Sequence, residues 1–325
     1  MPITSIGSYI PTGQSFENHW SAAQTQVGPG VIVLQGGYTL AQFQTDLAAV
    51  TQSINGIAGD IVALGVMRGQ LVAKRDTLRE RLRQFRGIAC GQLAGTPFVS
   101  QVPTLPGSGA VQSRFLEPME KSLALWKLVA APAAQGGLGL SITLAGGYSS
   151  DDFEGDIAAL NGAFTAESRA ESALENALKQ RNAKLEAFYE RLKQYRQVIV
   201  GVLPANDPLL QDVPRLTPRA GTTPKPVTDL SARWEEGQGE AVFEWEGSGD
   251  PHVTGQSLRV CLSKKWVSGE DVTVANLGPN ATSVSTKQGL DAPGMFITGK
   301  VFTLNDEGNE NGGKAVTVGR PPSPE

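Results

Sequence analysis

Groups suited to proton transfer are thinly spread in this chain. Only two histidines occur, His19 and His252. Neither is spaced to pair with a nucleophile as a Ser-His-Asp or Cys-His set would be. His19 stands beside Trp20 in a short amphipathic stretch and is expected to pack rather than catalyse. The two cysteines, Cys90 and Cys261, fall in different predicted regions, and neither has a second cysteine at zinc-ligand spacing. Both are expected to be buried, reduced thiols. Two acidic stretches invite a metal ion. Asp151-Asp152 opens a helical pattern, where carboxylates suit the positive end of the helix dipole. NDEGNENGG (305–313) sets oxygen ligands at alternating positions, as a calcium loop does. It lacks the later bidentate glutamate that closes such a loop, and a glycine-rich hairpin is expected there. No GxxxxGK[ST] or GxGxxG phosphate loop occurs. The sequence therefore assigns no catalytic, cofactor-binding or metal-ligating residue, and no cofactor.

The densest run of charge is Arg75, Arg79, Arg81, Arg83 and Arg86, around ERLRQFR (80–86). Such a run could meet phosphates. Yet Asp46 opens the same helical pattern and the arginines close it, which suits the dipole. A solvated helix face is the expectation. The net charge of −4, with both signs interspersed, gives no general pull toward nucleic acid or anionic membrane. The longest apolar runs, VIVL (31–34) and LALWKLVAAPAA (123–134), are too short to span a bilayer, so membrane insertion is not expected. The opening MPITSIGSYIPTGQSF carries no basic segment followed by an apolar core. Cytoplasmic residence is expected, with export by a non-cleaved route left open. Asn280-Ala281-Thr282 forms a glycosylation sequon that carries little weight without a secretion signal.

ERLRQFR returns as ERLKQYR at 190–196, and the echo is part of a longer match. GGYTLAQFQTDLAAV (36–50) aligns without gaps on GGYSSDDFEGDIAAL (146–160), about 110 residues later. PFVSQVPTL (97–105) then answers PLLQDVPRL (208–216), and the Trp20 region answers the Trp126 region. A tandem duplication is expected. Each copy reads as a short amphipathic helix (15–26 and 112–131), a short β-type run, a Gly-Gly-Tyr turn and a long helix. Thr39 and Ser149 are placed to cap those helices. Leu40, Phe43, Leu47, Val50, Ile54, Ile57, Ile61 and Leu64 step by three and four, and the seam resumes at Leu71, Leu78, Leu82 and Phe85. Phe153, Ile157, Leu160, Phe164, Leu174, Leu178, Leu185, Phe188, Leu192 and Tyr195 repeat the pattern. This is coiled-coil-like spacing, and about 50 residues would run about 75 Å. Gly56, Gly59, Gly65 and Gly69, with Asn161-Gly162 in the second copy, leave a break into a helical hairpin open. VIVL and SITL are expected to pair as a small two-stranded element joining the copies.

Four regions follow: a first helical repeat (1–110), a second packed with it as one body (111–203), a Pro-rich linker (204–225) and a β-sandwich (226–321). Pro204, Pro208, Pro214, Pro218, Pro224 and the adjoining Pro226 make this stretch a semi-rigid extended connector. Beyond it, AVFEW (241–245), SLRVCL (257–262), DVTVANL (271–277), TSVST (282–286), MFITGKVFTL (295–304) and KAVTV (314–318) read as strands of an antiparallel sandwich. PKPVTDLSARW, AVFEWEGSGDPHVTGQSLRV and DEGNENGGKAVTV together resemble a fibronectin type III domain over residues 224–321. The resemblance implies an immunoglobulin-like sandwich with Trp245 in its core, serving as a spacer or interaction module. The fold class expected is thus multidomain, α followed by all-β.

A noncatalytic scaffold or assembly protein is the expected function, acting on protein partners or on further copies of itself. The alternative is a surface-associated adhesin or carbohydrate-binding protein, with Trp234 or Trp266 stacking on sugar rings. An enzyme working in a cleft between the repeats is disfavoured by the missing acid–base–nucleophile set.

Overall fold

The computed structural model describes residues 2–107, 109–217, 223–306 and 308–321. Helices come first: α1 (Tyr9–Val27), α2 (Leu40–Gln92), α3 (Gln112–Ala130), α4 (Ser150–Val202) and the single turn α5 (Pro208–Gln211). Eight strands follow: β1 (Thr228–Glu235), β2 (Glu240–Glu246), β3 (Val253–Cys261), β4 (Val272–Leu277), β5 (Ser283–Thr286), β6 (Phe296–Asn305), β7 (Glu310–Gly312) and β8 (Val316–Gly319). The chain divides into two compact units. One joins the chain up to Ala63 with the chain from Ser172 through the strands, and the other is Leu64–Glu171.

Both long helices are unbroken over 53 residues. Gly56, Gly59 and Gly69 each cost about 1 kcal/mol against alanine, and space around them is open. The buried seam of Ile57, Ile61 and Leu64 outweighs that cost. Helix α4 starts in a capping box. Ser149 Oγ accepts from Asp152 N at 3.3 Å, while Asp152 Oδ2 accepts from Ser149 N at 2.8 Å. That second bond holds the Asp152 carboxyl below its usual range. At α2 the return half is present, Gln42 Oε1 accepting from Thr39 N at 2.8 Å. Helix α1 begins at Tyr9 rather than near residue 15, because Pro11 sits in its first turn, where no N–H is needed.

VIVL and SITL do not pair with each other. Gly36 and Gly37 (φ 80° and 77°), like Gly146 and Gly147 (φ 83° and 80°), are consecutive left-handed residues. Glycine reaches that region cheaply. Each turn folds the chain straight back, so Leu34 bridges Tyr38 and Leu144 bridges Tyr148. The two-stranded element expected between the copies becomes two separate local bridges.

In the first unit the N-terminal part of α2 packs with α1 and the C-terminal part of α4. Its core includes Phe16, Trp20, Phe43, Leu47, Phe188, Leu192 and Tyr195. In the second unit the C-terminal part of α2 packs with α3 and the start of α4, around Leu82, Phe85, Phe115, Trp126, Phe153 and Leu160. The linker is not extended throughout. Asp207 accepts from Leu209 N at 2.9 Å and caps α5, and Leu216 is buried in the first core. Leucines interleaved with the prolines draw this stretch onto the helices. Pro218 lies outside the described residues.

The strands form two antiparallel sheets, β1-β2-β5 and β4-β3-β6-β7, with β8 also pairing β6. One core takes Ala241, Phe243 and Trp245 from the first sheet and Leu258, Val260, Ile297 and Val301 from the second. Trp245 Nε1 donates to Gln256 Oε1 at 2.8 Å, so the buried indole is satisfied.

Candidate functional site

The arginine run is not a solvated face. Arg75 donates to the Ala110 carbonyl at 2.6 Å, with its guanidinium 4.5 Å from the Phe115 ring centroid. Arg79 donates to the Pro106 carbonyl at 3.1 Å. Arg81 lies 4.3 Å over the Tyr148 ring. Arg83 matches the expectation, in an exposed pair with Glu80. Packing three half-buried guanidiniums against carbonyls and rings recovers contact as well as charge, which a sequence scan for basic patches misses.

The Arg81 contact has a counterpart. Arg191 lies 4.4 Å over the Tyr38 ring and donates to Gln35 O at 3.2 Å, as Arg81 donates to Ala145 O at 3.5 Å. Tyr38 donates to Asp46 at 2.6 Å and Tyr148 to Asp156 at 2.5 Å. Burial, then these carboxylates, push both phenols far above their ordinary range, against the opposing arginines. Both phenols are held neutral as donors. Each unit thus carries one Arg–Tyr–Asp clamp, its arginine and tyrosine coming from different halves of the helical region, 1–110 and 111–203.

His19 packs, as expected: Nε2 meets the Leu209 carbonyl at 2.8 Å and Nδ1 meets Tyr195 Oη at 2.6 Å. The carbonyl only accepts, so Nε2 carries the proton. Cys261 is buried, and burial pushes its thiol up to about 11. Cys90 is exposed, contrary to expectation, because it falls on the outer side of α2 beside buried Ala89.

The first unit also contains a cleft of about 690 Å³. One wall carries Trp266, Lys300 and Phe302 from the β-module, and the other carries Tyr9, Glu186 and Tyr189 from α1 and α4. Beneath Phe302 lies a buried bidentate pair. Arg259 Nη1 meets Glu310 Oε1 at 2.9 Å and Nη2 meets Oε2 at 2.5 Å, with the two side chains 8% and 4% exposed. The Arg259 guanidinium is 4.3 Å from the Phe302 ring centroid. Beside the cleft Arg181 is 2% exposed and donates to the Gly269 carbonyl and to Asn182 Oδ1. Burial lowers its pKa, with Asp271 and Glu270 opposing. Among the described residues no group of three or more His, Cys, Asp or Glu is placed to hold a metal ion.

No family model and no curated protein matches the chain. Solved structures similar to it include a Fn3-like protein from Clostridium thermocellum, at 16% identity and a TM-score of 0.25, covering 31% of this chain and 98% of that one. The third fibronectin III domain of human KIAA0343 protein is similar at 16% identity and a TM-score of 0.25, covering 34% and 93%. The Clostridium perfringens spore cortex lytic enzyme SleM matches at 15% identity and a TM-score of 0.24, over 30% of this chain and 28% of its own. These likenesses are weak and extend over about a third of the chain.

Proposed function

We propose that this chain is a noncatalytic structural protein that assembles through its helices and carries a fibronectin type III-like sandwich as a spacer or interaction module. A tandem duplication of the helical segment is part of the proposal, supported by the matching Arg–Tyr–Asp clamps and the paired Gly-Gly-Tyr turns. The observation that carries the assembly reading is on α2. Val62 and Val66 are 58% and 53% exposed, one turn apart, and flanked by Gly59 and Gly69 with open space around them. An apolar strip with no side chain at its edges lets another helix approach closely. By length and composition α2 would also pass for a membrane span. Asp60 and Arg68 interrupt that stretch, and Ile57, Ile61 and Leu64 are already buried in protein. A second copy of the chain is therefore the partner proposed.

Sedimentation velocity tests this. The unmodified chain is expected to associate reversibly as its concentration rises. Val62→Glu with Val66→Glu should weaken association at least about tenfold while leaving helicity unchanged. Single-species sedimentation of the unmodified chain at every concentration would overturn the proposal.

A further inference from the structure

We infer that the cleft between Trp266 and Tyr189 is a saccharide-binding site, taking a segment of two or three pyranose units. Its volume, about 690 Å³, falls within the range of about 300–1,000 Å³ usual for small-ligand sites. Four aromatic side chains line it. Trp266 and Phe302 lie with centroids 5.8 Å apart on one wall, and Tyr9 and Tyr189 stand on the other.

Charge narrows the ligand class. Three carboxylates reach the cleft, Glu186, Asp271 and Glu310, against the cations Arg259 and Lys300. Arg259 is already engaged by Glu310. One free ammonium then faces two carboxylates, which disfavours a phosphate or sulfate ester. A cationic ligand is disfavoured at the rings, because Lys300 Nζ already lies 5.2 Å from the Trp266 centroid and 5.8 Å from that of Phe302. An alkyl chain would cover Glu186 and Lys300 without offering either a hydrogen bond. What remains is a neutral molecule with apolar faces and a hydroxyl rim. A pyranose ring has that make-up: a C–H face suited to the aromatic side chains of the cleft and hydroxyls suited to its carboxylate and ammonium groups. Trp234, the other tryptophan expected to stack on sugars, is packed against the sheet core with Arg320 5.6 Å from its ring. Trp266 is the reader.

Calorimetric titration of the full chain with maltotriose, cellotriose, mannotriose and N,N′,N″-triacetylchitotriose, each to about 10 mM, is the test. At least one is expected to bind saturably. Trp266→Ala should weaken that binding about tenfold or more, whereas Trp234→Phe should leave it unchanged. Glu186→Gln keeps every ring and should still weaken binding several-fold, and it decides alone if Trp266→Ala does not fold. Absence of saturable binding by all four sugars would overturn the inference. So would binding that folded Trp266→Ala and Glu186→Gln variants share with the unmodified chain.

Discussion

Replacing Glu310 with alanine is expected to destabilise the β-module by about 3–5 kcal/mol, the usual penalty for stranding a buried charge. Arg259 and Glu310 are 8% and 4% exposed and joined by two hydrogen bonds. Removing the carboxylate leaves a desolvated guanidinium against the Phe302 face, 4.3 Å away. Glu310→Gln restores one acceptor but no charge, and its loss should fall between alanine and the unmodified chain. Replacing both partners together, as Arg259→Met with Glu310→Leu, should cost far less than Glu310→Ala alone, because desolvation is removed along with the attraction. Urea unfolding of the full chain, followed by hydrogen exchange of the β-module amides, measures all three. Equal losses for Glu310→Ala and the double replacement would show that the pair is not buried as described.

Trp126→Ala should destabilise the second unit by about 3–5 kcal/mol. The indole is 1% exposed and stacked on Phe85 at 4.8 Å, and its Nε1 donates to the Ile142 carbonyl at 2.9 Å. A comparison of phenylalanine variants separates packing from hydrogen bonding. Trp20 occupies the matching place in the first unit, stacked on Tyr195 at 4.8 Å, but its buried Nε1 has no partner among the described residues. Trp20→Phe relieves an unsatisfied donor, whereas Trp126→Phe strands a buried carbonyl at about 1–3 kcal/mol. Trp126→Phe should therefore cost more than Trp20→Phe, by a margin readable in urea midpoints. Equal costs would contradict the assignment.

The helical layout was legible because the signals were local and repeated. Leucine and phenylalanine at steps of three and four specify both long helices, and Gly-Gly-Tyr specifies both turns. Pairing between halves was not legible, because an offset match shows which residues are equivalent without showing which touch. Arg81 against Tyr148 and Arg191 against Tyr38 are such contacts. One signal of tertiary contact does stand in the sequence. Arg181 falls where the seam skips from Leu178 to Leu185, 110 residues after Leu71 and aligned with it. A cation in an apolar seam needs a reason, and here it reaches the Gly269 carbonyl. Strand β1 shows no clean alternation in sequence, because its register shifts between Thr228 and Ser231, where Asp229 takes a positive φ of 52°. The cleft gave no local pattern, since Tyr9, Glu186, Trp266, Lys300 and Glu310 come from separate segments.

Double-mutant cycles on the two clamps test the cross-half arrangement most directly. Contact between opposite halves predicts coupling of about 0.5–1 kcal/mol between Tyr38→Leu and Arg191→Ala. A similar coupling is expected between Tyr148→Leu and Arg81→Ala, with Tyr38→Leu and Arg81→Ala simply additive. Coupling of Tyr38 to Arg81, with none to Arg191, would place the clamps within single halves and contradict the arrangement.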